Sequence, residues 1–376
     1  QHWINEVLMS LFFLLVGLEL KRELVLGELA DPQRAALPAI AAIGGMVVPA
    51  AAYWLLNPSG ATAAGWGIPM ATDIAFAIGA LSALGKRISP TLITFLIALA
   101  IVDDIGAVLV IALFYTEQLH AGGLFISALL TAILVAFNLG GIRRVIPYLL
   151  VGMLLWCAMF NSGIHATLAG VVLAFTIPVR PKYNAPYFIH SVNKLSQQMQ
   201  SGVKNNQPLH NDEMLHAHMS ALEEGLEFAQ APAQRLEHQL HFSVAFFVVP
   251  LFALANAAIP INWSDITTVL THSVTMGVTS GLILGKWIGI TVTSWLAVKL
   301  GIAAMPKGMQ MRHIHGIGLL AGIGFTMSFF VAELAFSSTP ELLLMAKTGI
   351  LFASVAAALF GYCWLRFACN NSRMRK

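Results

Sequence analysis

The chain has 376 residues, of which 57% are hydrophobic and only 10% charged, with a formal net charge of +3 at pH 7. Soluble domains carry about 25% charged residues, so most of this chain cannot be solvated by water. Neither a nucleic-acid partner nor a cofactor is expected. Three cysteines (Cys157, Cys363 and Cys369) are too few and odd in number for a disulfide framework, and each is expected to be a buried packing residue.

Apolar segments recur along the chain at about 3–20, 36–56, 63–85, 91–115, 121–140, 145–160, 163–178, 239–260, 267–298, 314–336 and 342–367. About 20 apolar residues rising 1.5 Å each match the hydrocarbon core of a bilayer. The reading is an all-α polytopic membrane protein with eleven helices, in which 145–160 and 163–178 are the shortest segments. Basic residues test the list. Lys21, Arg22, Arg34, Lys86, Arg87, Arg143, Arg144, Arg180, Lys182, Lys194, Lys204, Arg235, Lys299, Lys307, Arg312, Arg373, Arg375 and Lys376 fall on one side when loops are counted alternately. Loops near Asn57, His120, Ser162, Trp263 and Ser338 carry none, which places residue 1 outside and the C-terminus in the cytoplasm. No cleavable signal peptide is evident, and the abrupt start at Gln1 suggests that a natural N-terminal part precedes it. Residues 1–178 form an N-terminal membrane half of about seven spans and 237–376 a C-terminal half of about four. The polar stretch 179–236 reads as a cytoplasmic linker, with an amphipathic surface helix over 211–231.

Four ionisable residues lie deep inside these spans: Asp73, the adjacent pair Asp103 and Asp104, and Lys286. An acid at mid-membrane costs roughly 2.5–3.5 kcal/mol on the insertion scale, and several such costs in one chain point to use rather than accident. Pro69 and Thr72 interrupt helical hydrogen bonding just before Asp73, and Gly322 to Ser328 offers a matching weak point in the second half.

The segments Phe12–Leu24 (FFLLVGLELKREL), Ala71–Ile78 (ATDIAFAI), Ala98–Phe114 (ALAIVDDIGAVLVIALF), Ser162–Gly170 (SGIHATLAG), Pro250–Ala257 (PLFALANA), Gly281–Gly289 and Gly322–Ser328 carry a resemblance to the NhaA family of bacterial sodium/proton antiporters. Interrupted spans in both halves mark secondary transporters built from inverted repeats, a class in which this family is itself a standard example. The resemblance implies that fold, with two broken, crossing helices, in the bacterial inner membrane. It also implies exchange of cytoplasmic sodium or lithium for external protons, electrogenic and activated at alkaline pH. Family members usually begin with a further helix and a β-hairpin that supports a dimer; neither appears in this sequence, so a homodimer stays open.

Two neighbouring desolvated carboxylates do not both ionise readily, and the pair titrates as a unit. A carboxylate that must lose its proton to bind a hard cation is an exchange device. Oxygen ligands suit such a cation. The resemblance assigns Asp104 as principal sodium ligand and proton carrier, and Asp103 as its assistant, paired with Lys286 when sodium is absent. Thr72 becomes an auxiliary ligand, while Asp73 and Lys286 compensate the ends of the broken helices. It also implies pH-sensing positions at Glu19, Arg22, Glu23, Arg235, Glu237, His238 and His241, with His165 as a modulator; Gln234 stands where the family has a basic residue. An ion-coupled symporter of a small organic anion is the alternative. No resident metal is expected.

Overall fold

The computed structural model describes residues 2–85, 88–116, 120–181, 230–256 and 266–370, with a few scattered positions between 189 and 220. The surface helix expected over 211–231, most of the linker, and Lys86, Arg87, Lys182, Lys194, Lys204, Arg373, Arg375 and Lys376 therefore lie outside the described residues.

The helices are α1 (His2–Val25), α2 (Pro32–Leu56), a 3₁₀ helix (Ala61–Met70) leading into α3 (Ile74–Ser82), α4 (Pro90–Phe114), α5 (Ala121–Leu139), α6 (Val145–Phe160), α7 (Leu168–Thr176), α8 (Pro232–Asn256), a short α9 (Ile266–Thr271), α10 (Ser273–Lys299), α11 (Met311–Leu320), α12 (Phe325–Ala335) and α13 (Pro340–Asn370). Each of the eleven apolar segments coincides with one helix or helix pair. Among the described residues six helices are long and apolar enough to cross a bilayer alone, and up to eight if each bent pair is one span. Local sequence explains the starts. Asp31 caps α2 by accepting from Gln33 N at 3.0 Å, and Pro32 and Pro90 occupy first-turn positions whose missing N–H costs nothing.

Two sequence expectations need correction. The segment 163–178 is helical only over Leu168–Thr176; the residues before it form a turn in which Gly163 adopts a left-handed φ of 83°. Cys157 and Cys363 are exposed on the perimeter, and only Cys369 is buried. The surface they share with Leu113, Phe125, Leu139, Phe247 and Phe367 is apolar, as a lipid-facing surface must be.

Both bends sit at a break of a few residues: 43° between the 3₁₀ helix and α3, and 50° between α11 and α12. The core divides around them. One hydrophobic cluster joins α3 and α11 to α2, α4, α10 and α13 through Leu81, Leu96, Ile290 and Ile317. A second joins the 3₁₀ helix and α12 to α1, α10 and α13 through Ile68, Phe13, Leu282 and Phe330. The breaks thus lie between two dry layers, with α4 passing through both.

Packing of α10 on α2 is close because both present glycine. A Cβ built on Gly44 would stand 2.6 Å from the Gly289 carbonyl oxygen, and one on Gly285 would stand 2.7 Å from Pro49 Cα. This approach brings Lys286 into the interior, directly after a π-turn over Gly281–Gly285. Such turns re-aim the residues that follow them, and nothing in the composition of this stretch marks it.

Candidate functional site

Asp73 lies in the first break, extended and non-helical, with its N–H donating to Ile323 O in the second break at 2.6 Å. Its carboxylate serves two helix ends at once. Oδ1 accepts from Phe76 N at 3.2 Å and so caps α3, while Oδ2 accepts from Thr326 N at 3.0 Å and from the Thr326 hydroxyl in the first turn of α12. Two positive helix ends, each with unpaired N–H groups, meet one buried anion. Ser328 Oγ donates to Ile68 O at 2.8 Å and ties the same two broken segments together a second time. Thr326 was not singled out from sequence, although its place after the glycine-rich break was the available signal.

Beside the crossing, α4 contributes Asp103 and Asp104, both buried. Lys286 Nζ is wholly buried and forms an ion pair with Asp103 Oδ2. It also donates to Thr72 Oγ1 at 2.9 Å. The single Thr72 hydroxyl proton has two acceptors in reach, Asp103 Oδ2 at 2.6 Å and Ala321 O at 3.0 Å. Ala321 ends α11, so Lys286 and Thr72 together place positive charge and a donor where a half-helix leaves carbonyls unpaired. Adjacent residues on a helix diverge by about 100°, and the two acids accordingly differ in surroundings. Asp103 is held by Lys286 and Thr72, whereas Asp104 Oδ1 and Oδ2, with Asp103 Oδ1, are buried and accept no hydrogen bond from the described residues. Three buried carboxylate oxygens on adjacent residues without a donor among the described residues are costly unless a proton or cation joins them. This is an oxygen donor set suited to a hard cation.

Three of the sequence-derived residues, Thr72, Asp103 and Lys286, form one hydrogen-bonded set; Asp73 joins it through the breaks, and Asp104 adjoins it in the chain. The remaining candidates other than His165 form a second, separate group. Arg22 Nη1 contacts Glu237 Oε1 at 2.7 Å and Arg22 Nη2 contacts Glu23 Oε1 at 3.2 Å. His241 Nδ1 stands 3.8 Å from Glu19 Oε1. These residues join the C-terminal turns of α1 to the start of α8 around a cleft of about 290 Å³ lined by Arg22, Glu23, Val179 and Gln234. Arg235 and the exposed His238 lie on the same short stretch of α8. Lys21 anchors this end by donating to Phe175 O at 2.6 Å and to Ile177 O, the unpaired carbonyls at the end of α7. His165 is apart from this group: its Nε2 faces Tyr115 O at the far end of α4. Glu333 and Lys347, both inside spans, were passed over in the sequence; their ion pair of 2.6 Å links α12 to α13.

Two bent helix pairs crossing beside buried acids and a buried lysine define a secondary transporter rather than an enzyme or a channel wall. The sequence pattern of the family described as Na+/H+ antiporter 1 matches residues 1–365. The chain is 50% identical over 364 residues to Na(+)/H(+) antiporter NhaA 1 of Saccharophagus degradans, covering 97% of this chain and 78% of that protein. It is 50% identical over 374 residues to Na(+)/H(+) antiporter NhaA of Syntrophobacter fumaroxidans, covering 98% and 79%. For Na(+)/H(+) antiporter NhaA of Acidithiobacillus ferrooxidans the identity is 50% over 369 residues, covering 97% and 84%. The chain belongs to the Na+/H+ antiporter 1 family and is a multi-pass membrane protein.

Proposed function

We propose that Asp104 and Asp103 are the exchange site through which this chain, as an Na+/H+ antiporter, trades sodium for protons. The observation that carries this assignment is the trio of buried carboxylate oxygens without a protein donor. A proton or a sodium ion satisfies them, and the two cannot occupy the same oxygens together. Competition for one site, exposed alternately to each side, is exchange. Asp104 is the principal sodium ligand and proton carrier, Asp103 Oδ1 a second ligand and Thr72 Oγ1 an auxiliary one. Asp103 is paired with Lys286, and in this reading sodium binding loosens that ion pair. Asp73 compensates the two positive helix ends and does not itself carry the ion.

In this reading cytoplasmic sodium leaves in exchange for two external protons, which moves net charge and serves pH and sodium homeostasis. Lithium, of like charge and hardness, is an alternative cargo. Membrane halves 1–178 and 237–376 are joined by the cytoplasmic linker 179–236, and the protein lies in the bacterial inner membrane with its C-terminus in the cytoplasm. A second copy of the chain is the proposed partner in the bilayer. The cluster of Glu19, Arg22, Glu23, Arg235, Glu237, His238 and His241 is assigned to pH response at the cytoplasmic mouth, and His165 to modulation from the opposite end. No observation favours the organic-anion symporter.

Sodium-induced dequenching of a pH-sensitive dye in everted vesicles, measured from pH 6 to 9, tests the reading. Wild-type vesicles should dequench more strongly as pH rises, because fewer protons compete for the acids, and Asp104→Asn should be silent. Undiminished exchange in Asp104→Asn would overturn the assignment.

A further inference from the structure

The second half of the broken segment, α12, is fixed by polar contacts at both ends. At its first turn Thr326 donates twice to Asp73 Oδ2. Seven residues on, about 10.5 Å along the axis, Glu333 meets Lys347 of α13 at 2.6 Å. Glu333 stands in the last turns of α12, where the helix end is itself negative and an acid is electrostatically misplaced. Lys347 offsets both the acid and the helix end; its side chain is 14% exposed and that of Glu333 29%. Between these ends α12 is held by apolar contacts such as Phe330 against Phe13 and by the Ser328–Ile68 hydrogen bond, and the Glu333–Lys347 pair is the polar tie at its far end. Sliding or rotating α12 would withdraw Thr326 from Asp73, and the Glu333–Lys347 pair opposes that motion.

We propose that Glu333 and Lys347 are positioning residues for ion exchange, holding α12 to α13 so that Thr326 keeps Asp73 at the crossing. The inference rests on the assignment of the exchange site to the crossing and its acids. The pair touches neither sodium nor the proton-carrying oxygens; it acts through the register of α12.

The test is sodium-dependent proton release in proteoliposomes, recorded over a range of sodium concentrations with reconstituted protein quantified. A partly exposed ion pair contributes on the order of 1 kcal/mol, so Lys347→Met and Glu333→Gln should each raise the half-maximal sodium concentration about threefold to fivefold. Maximal rate should stay near wild type. Lys347→Arg should retain wild-type half-saturation, and the exchanged pair Glu333→Lys with Lys347→Glu should recover most of it where Glu333→Lys alone does not. Unchanged half-saturation in both neutral variants would overturn the proposal. So would a loss confined to maximal rate, with no recovery in the exchanged pair, since that is the behaviour of packing alone. Asp104→Asn runs beside them: exchange persisting in that variant would instead remove the site assignment beneath the proposal.

Discussion

Thr326→Val isolates the electrostatic contribution at the crossing. The substitution keeps the branched shape and the backbone N–H, and it removes only the hydroxyl that donates to Asp73 Oδ2. Asp73 then keeps Thr326 N at 3.0 Å and Phe76 N at 3.2 Å. A hydrogen bond to a charged group contributes about 1.5–3 kcal/mol, and replacing a buried hydroxyl by a methyl returns ~0.8 kcal/mol. The net loss should be about 1–2 kcal/mol. Unfolding entropy near 2.1 cal/mol/K per residue amounts to about 0.8 kcal/mol/K for a chain of this length, so the melting midpoint should fall by roughly 2 °C. Ser328→Ala is the internal standard. It removes a neutral hydrogen bond of 2.8 Å to Ile68 O and should cost about 1 kcal/mol, or less than Thr326→Val. Intrinsic tryptophan fluorescence during a thermal ramp of purified protein resolves such differences. A Thr326→Val protein melting with wild type, while Ser328→Ala melts lower, would refute the view that Asp73 is an ionised cap shared by two helices.

Lys286→Met should be the most damaging single change at the site, because it strands Asp103 in a dry interior. Breaking one side of a buried ion pair costs about 3–5 kcal/mol, and the same thermal ramp should show a drop well beyond that of Thr326→Val. Equal stability of the two variants would argue against the pair. Gly44→Ala tests the helix contact that delivers Lys286: its Cβ would meet backbone, Gly289 O at 2.6 Å, which cannot swing aside. Overpacking of this kind costs about 1–3 kcal/mol, and the accompanying shift of α10 should weaken sodium-driven exchange in the dye assay. Wild-type exchange there would show that α2 and α10 can separate without moving Lys286.

Span positions, the four charged residues and both interruptions were legible in the sequence because each violates the economy of an apolar environment: a charge or a proline in a long apolar run is visible at once. The pairing of Lys286 with Asp103 rather than Asp104 was foreseen only through the family resemblance, since helical spacing alone leaves both acids available. Other features were hidden for physical reasons. A π-turn at Gly281–Gly285 leaves no compositional trace. Glu333 and Lys347 sit near segment ends, where single charges look like ordinary interfacial residues until a partner is known. The cysteines were misread because apolar context was equated with burial, whereas in a bilayer the perimeter is apolar too.

Asp73 and Thr326 are 253 residues apart in the chain. During synthesis the carboxylate enters the bilayer long before the helix end that will receive it exists. Until α12 arrives, the early half holds an acid whose second oxygen lacks its donors, and the first break lacks the carbonyl of Ile323 that receives its backbone N–H. Assembly must therefore finish where it is most dependent on the last spans. A truncated product ending before α12 would have all its early hydrophobic helices and yet no closed crossing.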